Sequence, residues 1–159
     1  MGDPGERGTR GGLLLVEDNE ADILFFKRAL SKVREGVPLD VVTNGVAAVQ
    51  ALSGQGSHRL PAIVLLDLKL PRMSGLEVLE WMRTQPPLSS VRTVVLTSSS
   101  EESDIRRAHA LGAAAFVVKP VDFIGLRGVI EAVLAFWEDP SGSAQAHLGR
   151  FAASIPAPR

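Results

Sequence analysis

Two patterns of apolar and polar residues follow one another along the chain. Five short apolar runs, rich in branched side chains, have the unbroken character of strands that are buried on both faces, as in a parallel sheet. We predict these strands at residues 13–16, 39–43, 63–66, 91–97 and 115–118. After each run, apolar residues recur at three- and four-residue steps, which is typical of amphipathic helices. We predict these helices around residues 23–33, 46–52, 76–82, 105–111 and 123–138.

Residues that favour helix ends lie at several of these boundaries. Asn19 and Asp122 are suited to cap the first and the last helix, because their side chains can accept a hydrogen bond from the first helical turn. Ser74 and Glu77 have the spacing of a capping box before the third helix. Each predicted strand is therefore followed by a turn and a helix start.

Five strands that alternate with five helices predict a doubly wound α/β domain, a (βα)5 arrangement of the flavodoxin-like kind. Right-handed crossovers restrict the order of the parallel strands, and 2-1-3-4-5 is one of two common solutions. Periodicity alone does not choose between them. The two ends differ in composition from the middle of the chain. We predict a disordered, glycine-rich leader at 1–11, one domain at 12–138, and a tail at 139–159 with no output domain.

The amino-acid composition of the chain excludes several classes of function. The chain has 159 residues and a formal net charge of −1, which suggests no general affinity for nucleic acid or for an anionic membrane. It has no cysteine, which excludes disulfides and thiolate metal sites and fits a cytoplasmic protein. No apolar run reaches the roughly 18–20 residues that span a bilayer, and no secretory signal is recognisable at the start.

Charged and hydroxyl side chains stand where the predicted strands end. Glu17 and Asp18 follow the first strand and Asp67 follows the third. Thr97 ends the fourth strand and Lys119 follows the fifth. Three carboxylates at one edge of a sheet repel one another unless a cation lies among them, and oxygen ligands at an open site suit Mg²⁺. A hydroxyl and an ammonium group complement phosphoryl oxygens, so we predict that Asp67 accepts a phosphoryl group with Mg²⁺ as cofactor.

Four short segments resemble, in order and spacing, the CheY-like receiver domain of two-component response regulators. They are Val16-Glu17-Asp18-Asn19, Leu66-Asp67-Leu68 with Pro71 and Gly75, Thr97-Ser98, and Lys119-Pro120. The resemblance covers residues 13 to about 138 and implies the strand order 2-1-3-4-5. It also implies phosphorylation of Asp67 by a sensor histidine kinase or a phosphotransfer protein. Such a protein is a phosphoacceptor that assists its own phosphorylation and dephosphorylation, and is not a classical enzyme.

The resemblance assigns a metal site to residues at the ends of the first and third strands. Asp18 and Asp67 would be metal ligands, and Glu17 would assist through a water molecule. The backbone carbonyl of Lys69 would be a further ligand. Lys119 would form an ion pair with the phosphorylated aspartate.

The resemblance also implies a conformational switch. Thr97 would hydrogen-bond the phosphoryl group and Phe116 would be the aromatic residue that follows it inward. The surface formed by the fourth helix, the fifth strand and the fifth helix would then change shape. The Lys119–Pro120 peptide bond is expected to be cis.

The last predicted helix carries more apolar residues than one inward face needs. A wider contact with the core would explain them, but we favour an interface with a partner or a second copy. The predicted interface residues are Val129, Val133, Phe136 and Trp137. The sequences at residues 16–22 and 66–83 and the aromatic end of the last helix are similar to those of stand-alone receivers that serve bacterial phytochrome photoreceptor kinases. Those receivers often form homodimers. The tail would then be a dimer arm or disordered.

Three other functions remain as alternatives. A haloacid-dehalogenase-like phosphatase also uses a strand-end aspartate with Mg²⁺, but it needs a second acid where this chain has Lys69. A nucleotide-binding protein of the Rossmann type needs a glycine-rich turn after the first strand, where this chain has Glu17-Asp18-Asn19. A degenerate receiver that acts as a phosphorylation-independent adaptor is not excluded by the residues alone.

Overall fold

The computed structural model describes residues 11–54, 60–139 and 141–154. The predicted leader except Gly11, the loop residues 55–59 and the last part of the predicted tail lie outside the described residues. Five parallel strands form one sheet in the order β2-β1-β3-β4-β5. The predicted doubly wound (βα)5 fold and its strand order are therefore confirmed.

The strands are short and their burial follows their place in the sheet. They are β1 (Leu13–Val16), β2 (Leu39–Val42), β3 (Ile63–Leu66), β4 (Arg92–Thr97) and β5 (Ala115–Val118). Every residue of the inner strands β1 and β3 is buried, as expected for a sheet covered by helices on both faces. The edge strand β2 is only partly buried. This explains why the inner strands have the clearest apolar runs.

In the part of the chain that the structure describes, five α-helices follow the five strands, and a sixth α-helix lies in the C-terminal part. They are α1 (Glu20–Val33), α2 (Gly45–Leu52), α3 (Gly75–Arg83), α4 (Glu102–Ala110), α5 (Phe123–Glu138) and α6 (Ala144–Leu148). The side chains of Asn19 and Asp122 cap α1 and α5 as predicted. Ser74 and Glu77 form the predicted capping box of α3. None of the described helices combines the length and the apolar character that crossing a membrane requires.

The sheet separates two apolar cores. The α1–α5 core lies on one face and includes Phe26, Leu30, Leu126, Ile130, Val133 and Leu148. The α2–α4 core lies on the other face and includes Ala48, Val78, Met82, Ile105, Ala108 and Phe116. Because strand residues alternate between faces, β5 sends Ala115 and Val117 into the first core and Phe116 into the second.

The start of α3 lies directly against the end of β3. The N–H of Gly75 donates a hydrogen bond to the carbonyl oxygen of Leu68 at 2.9 Å. A Cβ atom at position 75 would lie 2.2 Å from the backbone oxygen of Asp67, which no side chain can tolerate. Glycine is therefore required here by close approach, and the contact fixes the loop that carries Asp67.

Residues 141–154, which we call the C-terminal segment, fold back onto the domain. Leu148 of α6 is fully buried in the α1–α5 core. Ala152 forms an antiparallel bridge with Val117 of β5. The described part of the predicted tail is thus packed against both α5 and the sheet.

This packing corrects the predicted interface. Val129, Val133 and Phe136 are 1%, 1% and 2% exposed, so they lie inside the chain and not on its surface. The prediction that these three residues face a partner is wrong, because α6 and the sheet use the extra apolar surface of α5. Trp137 is partly buried against the same core. The guanidinium group of Arg92 stacks on the ring of Phe136 at 4.1 Å.

Candidate functional site

Three carboxylates meet at the carboxyl ends of the two innermost strands. β1 pairs with β3 so that Val16 lies opposite Leu66, which brings the next residues, Glu17 and Asp67, side by side. Oxygen atoms of Glu17, Asp18 and Asp67 all lie within 4.8 Å of one another. Glu17 and Asp67 are buried, whereas Asp18 is exposed. A set of oxygen donors that is open on one side fits a hard divalent cation.

Lys119, at the end of β5, reaches this cluster with its ammonium group. Its Nζ donates to Glu17 Oε2 at 2.7 Å and to Asp67 Oδ2 at 3.0 Å. It also donates to Asp22 Oδ2 at 3.0 Å. The sequence analysis did not assign Asp22 to this site. The available signal is an acid in the first turn of α1, the helix that begins shortly after Glu17 and Asp18.

Thr97 and Lys69 contact the other oxygen of Asp67. The hydroxyl of Thr97, which is fully buried at the end of β4, donates to Asp67 Oδ1 at 2.8 Å. The backbone N–H of Lys69 donates to the same oxygen at 3.2 Å. Each carboxylate oxygen of Asp67 is thus held by protein donors from neighbouring strand ends. The role of the Lys69 carbonyl as a metal ligand stays a prediction.

Burial and crowding shift the pKa values of the acids in opposite directions. Burial, and then the contact with Asp67, raises the pKa of Glu17 from 4.5 to about 7. Burial opposes ionisation of Asp67 as well, but hydrogen bonds from Glu17, Lys119 and Thr97 outweigh it and lower its pKa. The pKa of Lys119 is raised because its hydrogen bonds to the acids outweigh its burial. The two shifts favour the ionised form of Asp67 and the protonated form of Glu17.

The predicted switch residue Phe116 is fully buried in the α2–α4 core. It lies in β5 opposite Val95, two residues before Thr97 in the neighbouring strand β4. Its carbonyl oxygen accepts a hydrogen bond from the N–H of Ala153 at 2.7 Å. The sequence did not predict this contact with the C-terminal segment.

One prediction about the site is wrong. The described residues contain no cis peptide bond, so the Lys119–Pro120 bond is trans. A bond before proline favours the trans form by only about 0.5–1 kcal/mol, so the local sequence does not dictate the isomer. Lys119 reaches Glu17 and Asp67 with the trans bond.

Comparison with known proteins identifies the family of this fold and site. The model of the response regulator receiver domain matches residues 13–131, which is more than half of the chain. The probable methanogenesis regulatory protein FilR2 of Methanothrix harundinacea is 34% identical over 127 residues, 79% of this chain and 82% of that protein. Response regulator Rcp1 of Synechocystis is 31% identical over 128 residues, 79% of this chain and 87% of that protein.

Two solved structures are similar over nearly their whole length. The phosphorylated cyanobacterial phytochrome response regulator RcpA has a TM-score of 0.74 at 30% identity, with 84% of this chain and 98% of that chain covered. The Mn²⁺-bound form of Rcp1 has a TM-score of 0.73 at 30% identity, with 82% and 96% covered. A divalent ion in Rcp1 agrees with the donor set of the acidic cluster here. The chain therefore belongs to the receiver-domain response regulators of two-component systems, which are signalling proteins and not classical enzymes.

Proposed function

We propose that this protein accepts a phosphoryl group on Asp67 from a phosphohistidine of a sensor histidine kinase or a phosphotransfer protein. The observation that supports this is the environment of Asp67. It is ionised, its two oxygens are held by Thr97 and Lys119, and two further acids lie beside it. In the transfer, an oxygen of Asp67 forms a bond to phosphorus as the bond from phosphorus to the histidine nitrogen breaks, and that nitrogen keeps the electron pair.

The acidic cluster would hold the cofactor, for which we propose Mg²⁺. Asp18 and Asp67 are the direct ligands in this proposal, with Glu17 assisting and the Lys69 carbonyl as a further ligand. The bound cation would offset negative charge on the transferring oxygens. Lys119 contributes its ammonium group to the same oxygens, since it already lies 3.0 Å from Asp67 Oδ2.

The signal would be read from Thr97 and Phe116. Phosphorylation favours the conformation in which the Thr97 hydroxyl points to residue 67 and Phe116 is buried, and the surface of α4, β5 and α5 changes with it. This is a shift between two conformational populations. The free energy of the shift equals the difference in the free energy with which the phosphoryl group stabilises the two conformations.

We further propose that the phosphodonor is a phytochrome-type photoreceptor kinase and that the protein works in the cytoplasm. The support for the kinase is the similarity to RcpA, which is described as a phytochrome response regulator. A homodimer is part of this proposal, although its surface cannot consist of the buried residues of α5. Light scattering on the purified chain, with Mg²⁺ and with or without beryllofluoride, measures this directly: a dimeric mass supports the homodimer and a monomeric mass in both states contradicts it.

A second candidate function is a phosphorylation-independent adaptor. The contact of Thr97 with Asp67 and the buried position of Phe116 favour it, because protein groups alone make the arrangement that phosphorylation would select. Such an adaptor would bind its target equally well with or without a phosphoryl group on Asp67.

Treatment with acetyl phosphate and Mg²⁺, followed by intact-protein mass spectrometry, tests the proposal. We expect the wild type to gain the mass of one phosphoryl group and Asp67→Asn to gain none. Asp40→Asn is the matched control, since Asp40 is an exposed aspartate of β2. Labelling of Asp67→Asn at the wild-type level would mean that another residue is the acceptor. Full labelling of the wild type without any change in target binding would favour the adaptor.

A further inference from the structure

The C-terminal segment of the chain pairs with β5, the strand at the edge of the sheet. β5 is the last strand in the sheet order, and an edge strand offers unpaired backbone groups. Ala152 bridges Val117 in antiparallel fashion, and the N–H of Ala153 donates to the carbonyl oxygen of Phe116 at 2.7 Å. The segment therefore pairs with β5 beside the switch residue through one bridge and one backbone hydrogen bond.

Contacts on α5 anchor this segment. Leu148 is completely buried. The Nε2 atom of His147 lies 2.9 Å from a carboxylate oxygen of Asp139. A Cβ atom at position 128 would lie 3.1 Å from the ring of Phe151, so glycine at this position leaves room for that ring. Apolar and polar contacts therefore hold the segment against the domain.

The segment also joins the two cores of the domain. Ala152 packs against the α1–α5 core, and Ala153, the next residue, packs against the α2–α4 core that contains Phe116. Ala153 thus contacts the switch region through a backbone hydrogen bond and through apolar packing. Movement of Phe116 toward the edge of the sheet would have to disturb both contacts.

We propose that the C-terminal segment holds Phe116 in its buried position and thereby presets the site for phosphorylation. This inference rests on the proposed function of Asp67 and Thr97. With Phe116 buried, Thr97 is free to point inward, and its hydroxyl lies 2.8 Å from Asp67. The segment therefore raises the fraction of molecules in the phosphoryl-competent state. Because apparent affinity scales with that fraction, a phosphoryl mimic binds more tightly when the segment is docked.

Ala153→Pro tests the backbone hydrogen bond to Phe116. Ala153→Pro removes the N–H donor, and the residue before it is already extended in its bridge, which is the conformation that a following proline favours. Ala144→Pro is the matched control. Residue 144 is the first residue of α6, where proline is tolerated because no helical donor is lost. Phe151→Ala is a second test variant, which loosens the anchor on α5 without touching β5.

Fluorine NMR of protein labelled with 4-fluorophenylalanine reports on Phe116 directly, with its signal assigned from Phe116→Leu. We expect one buried environment in the wild type and in Ala144→Pro. Ala153→Pro and Phe151→Ala should each show an additional solvent-exposed population of Phe116. An unchanged Phe116 signal in both variants would overturn the proposal.

Calorimetric titration with beryllofluoride and Mg²⁺ measures the effect on the site. Loss of one backbone hydrogen bond, about 1 kcal/mol, corresponds to an approximately fivefold shift of the equilibrium between buried and exposed Phe116. The apparent affinity of Ala153→Pro should weaken by the factor by which the buried fraction falls in its fluorine spectrum, at most about fivefold. Equal affinity in Ala153→Pro and the wild type would contradict the preset site. If the wild type does not bind beryllofluoride at all, the proposed function of Asp67 fails, and the fluorine spectra still decide whether the segment holds Phe116.

Discussion

The raised pKa of Glu17 predicts an unusual dependence of stability on pH. Burial beside Asp67 raises the pKa of Glu17 from 4.5 to about 7 in the folded protein. The folded state therefore binds the proton of Glu17 more tightly than the unfolded chain does, and the proton stabilises the fold. This contribution is complete below pH 4.5 and is lost as the pH rises through about 7. In the metal-free protein, the contribution of Glu17 to stability thus decreases toward neutral pH.

The size of the effect follows from the shift. One pKa unit corresponds to about 1.4 kcal/mol, so a rise from 4.5 to about 7 amounts to roughly 3 kcal/mol. The lowered pKa of Asp67 has the opposite sign, but its contribution is lost only as the pH falls below its ordinary range near 3.8. The raised pKa of Lys119 contributes stability that is complete below its ordinary value of 10.5 and changes with pH only above it. Neither group therefore titrates in the window of Glu17.

The perturbation that isolates this effect is Glu17→Gln, which keeps a neutral group of similar size. Urea unfolding followed by tryptophan fluorescence, with a chelator, gives the free energy of unfolding from pH 4.5 to 8. The difference between wild type and Glu17→Gln should change by about 3 kcal/mol across this range, to the disadvantage of the wild type at high pH. Glu20→Gln is the control, because Glu20 is an exposed acid in the first turn of α1.

Addition of Mg²⁺ extends the same experiment. A divalent cation binds the ionised carboxylates, so it should raise stability more at pH 8 than at pH 5 and remove most of the difference. Parallel pH profiles for wild type and Glu17→Gln, or a wild type that gains stability relative to the variant toward pH 8, would refute the raised pKa of Glu17.

Three further substitutions test the packing of the domain and the charges of the site. Gly75→Ala should destabilise the protein by about 1–3 kcal/mol or more, because its Cβ would lie 2.2 Å from the backbone oxygen of Asp67; thermal unfolding measures this. Phe136→Ala should cost about 3–5 kcal/mol in urea unfolding, since this ring is 2% exposed, whereas Ile124→Ala, at an 83% exposed position on the same helix, should cost little. Lys119→Met should cost about 3–5 kcal/mol at pH 8 without metal, because two buried acids lose their cation, and Mg²⁺ should restore part of it.

Each of these expectations has a clear contrary result. Wild-type stability of Gly75→Ala would mean that the start of α3 does not lie against β3. An equally small effect of Phe136→Ala and Ile124→Ala would place Phe136 on the surface, as the sequence first suggested. A metal-free Lys119→Met protein as stable as the wild type at pH 8 would remove Lys119 as the counter-charge of the cluster.

Much of the fold could be predicted because local and long-range preferences agree. The runs at β1 and β3 are buried on both faces, so nothing polar interrupts them. The capping box of Ser74 and Glu77 marks the start of α3 without any tertiary information. The side-by-side placement of Glu17 and Asp67 could also be predicted, since neighbouring parallel strands end at the same edge of the sheet.

The C-terminal segment could not be predicted in the same way. Its many small residues have no periodicity, and its position depends on distant partners such as Gly128 and the edge of β5. The same long-range packing accounts for the wrong interface at Phe136, because an apolar helix end has the same pattern whether its own chain or a partner covers it. The isomer of the Lys119–Pro120 bond depends on small energy differences that the local sequence does not reveal.

In the proposed function, Asp67 carries the phosphoryl group. The most direct test is reduction of the acetyl-phosphate-treated protein with borohydride, which converts an aspartyl phosphate to homoserine, followed by peptide mass spectrometry. We expect homoserine at position 67 in the wild type, dependent on Mg²⁺, and none in Asp67→Asn. Homoserine at any other aspartate, or no homoserine in a wild type that carries a stable phosphoryl group, would contradict it.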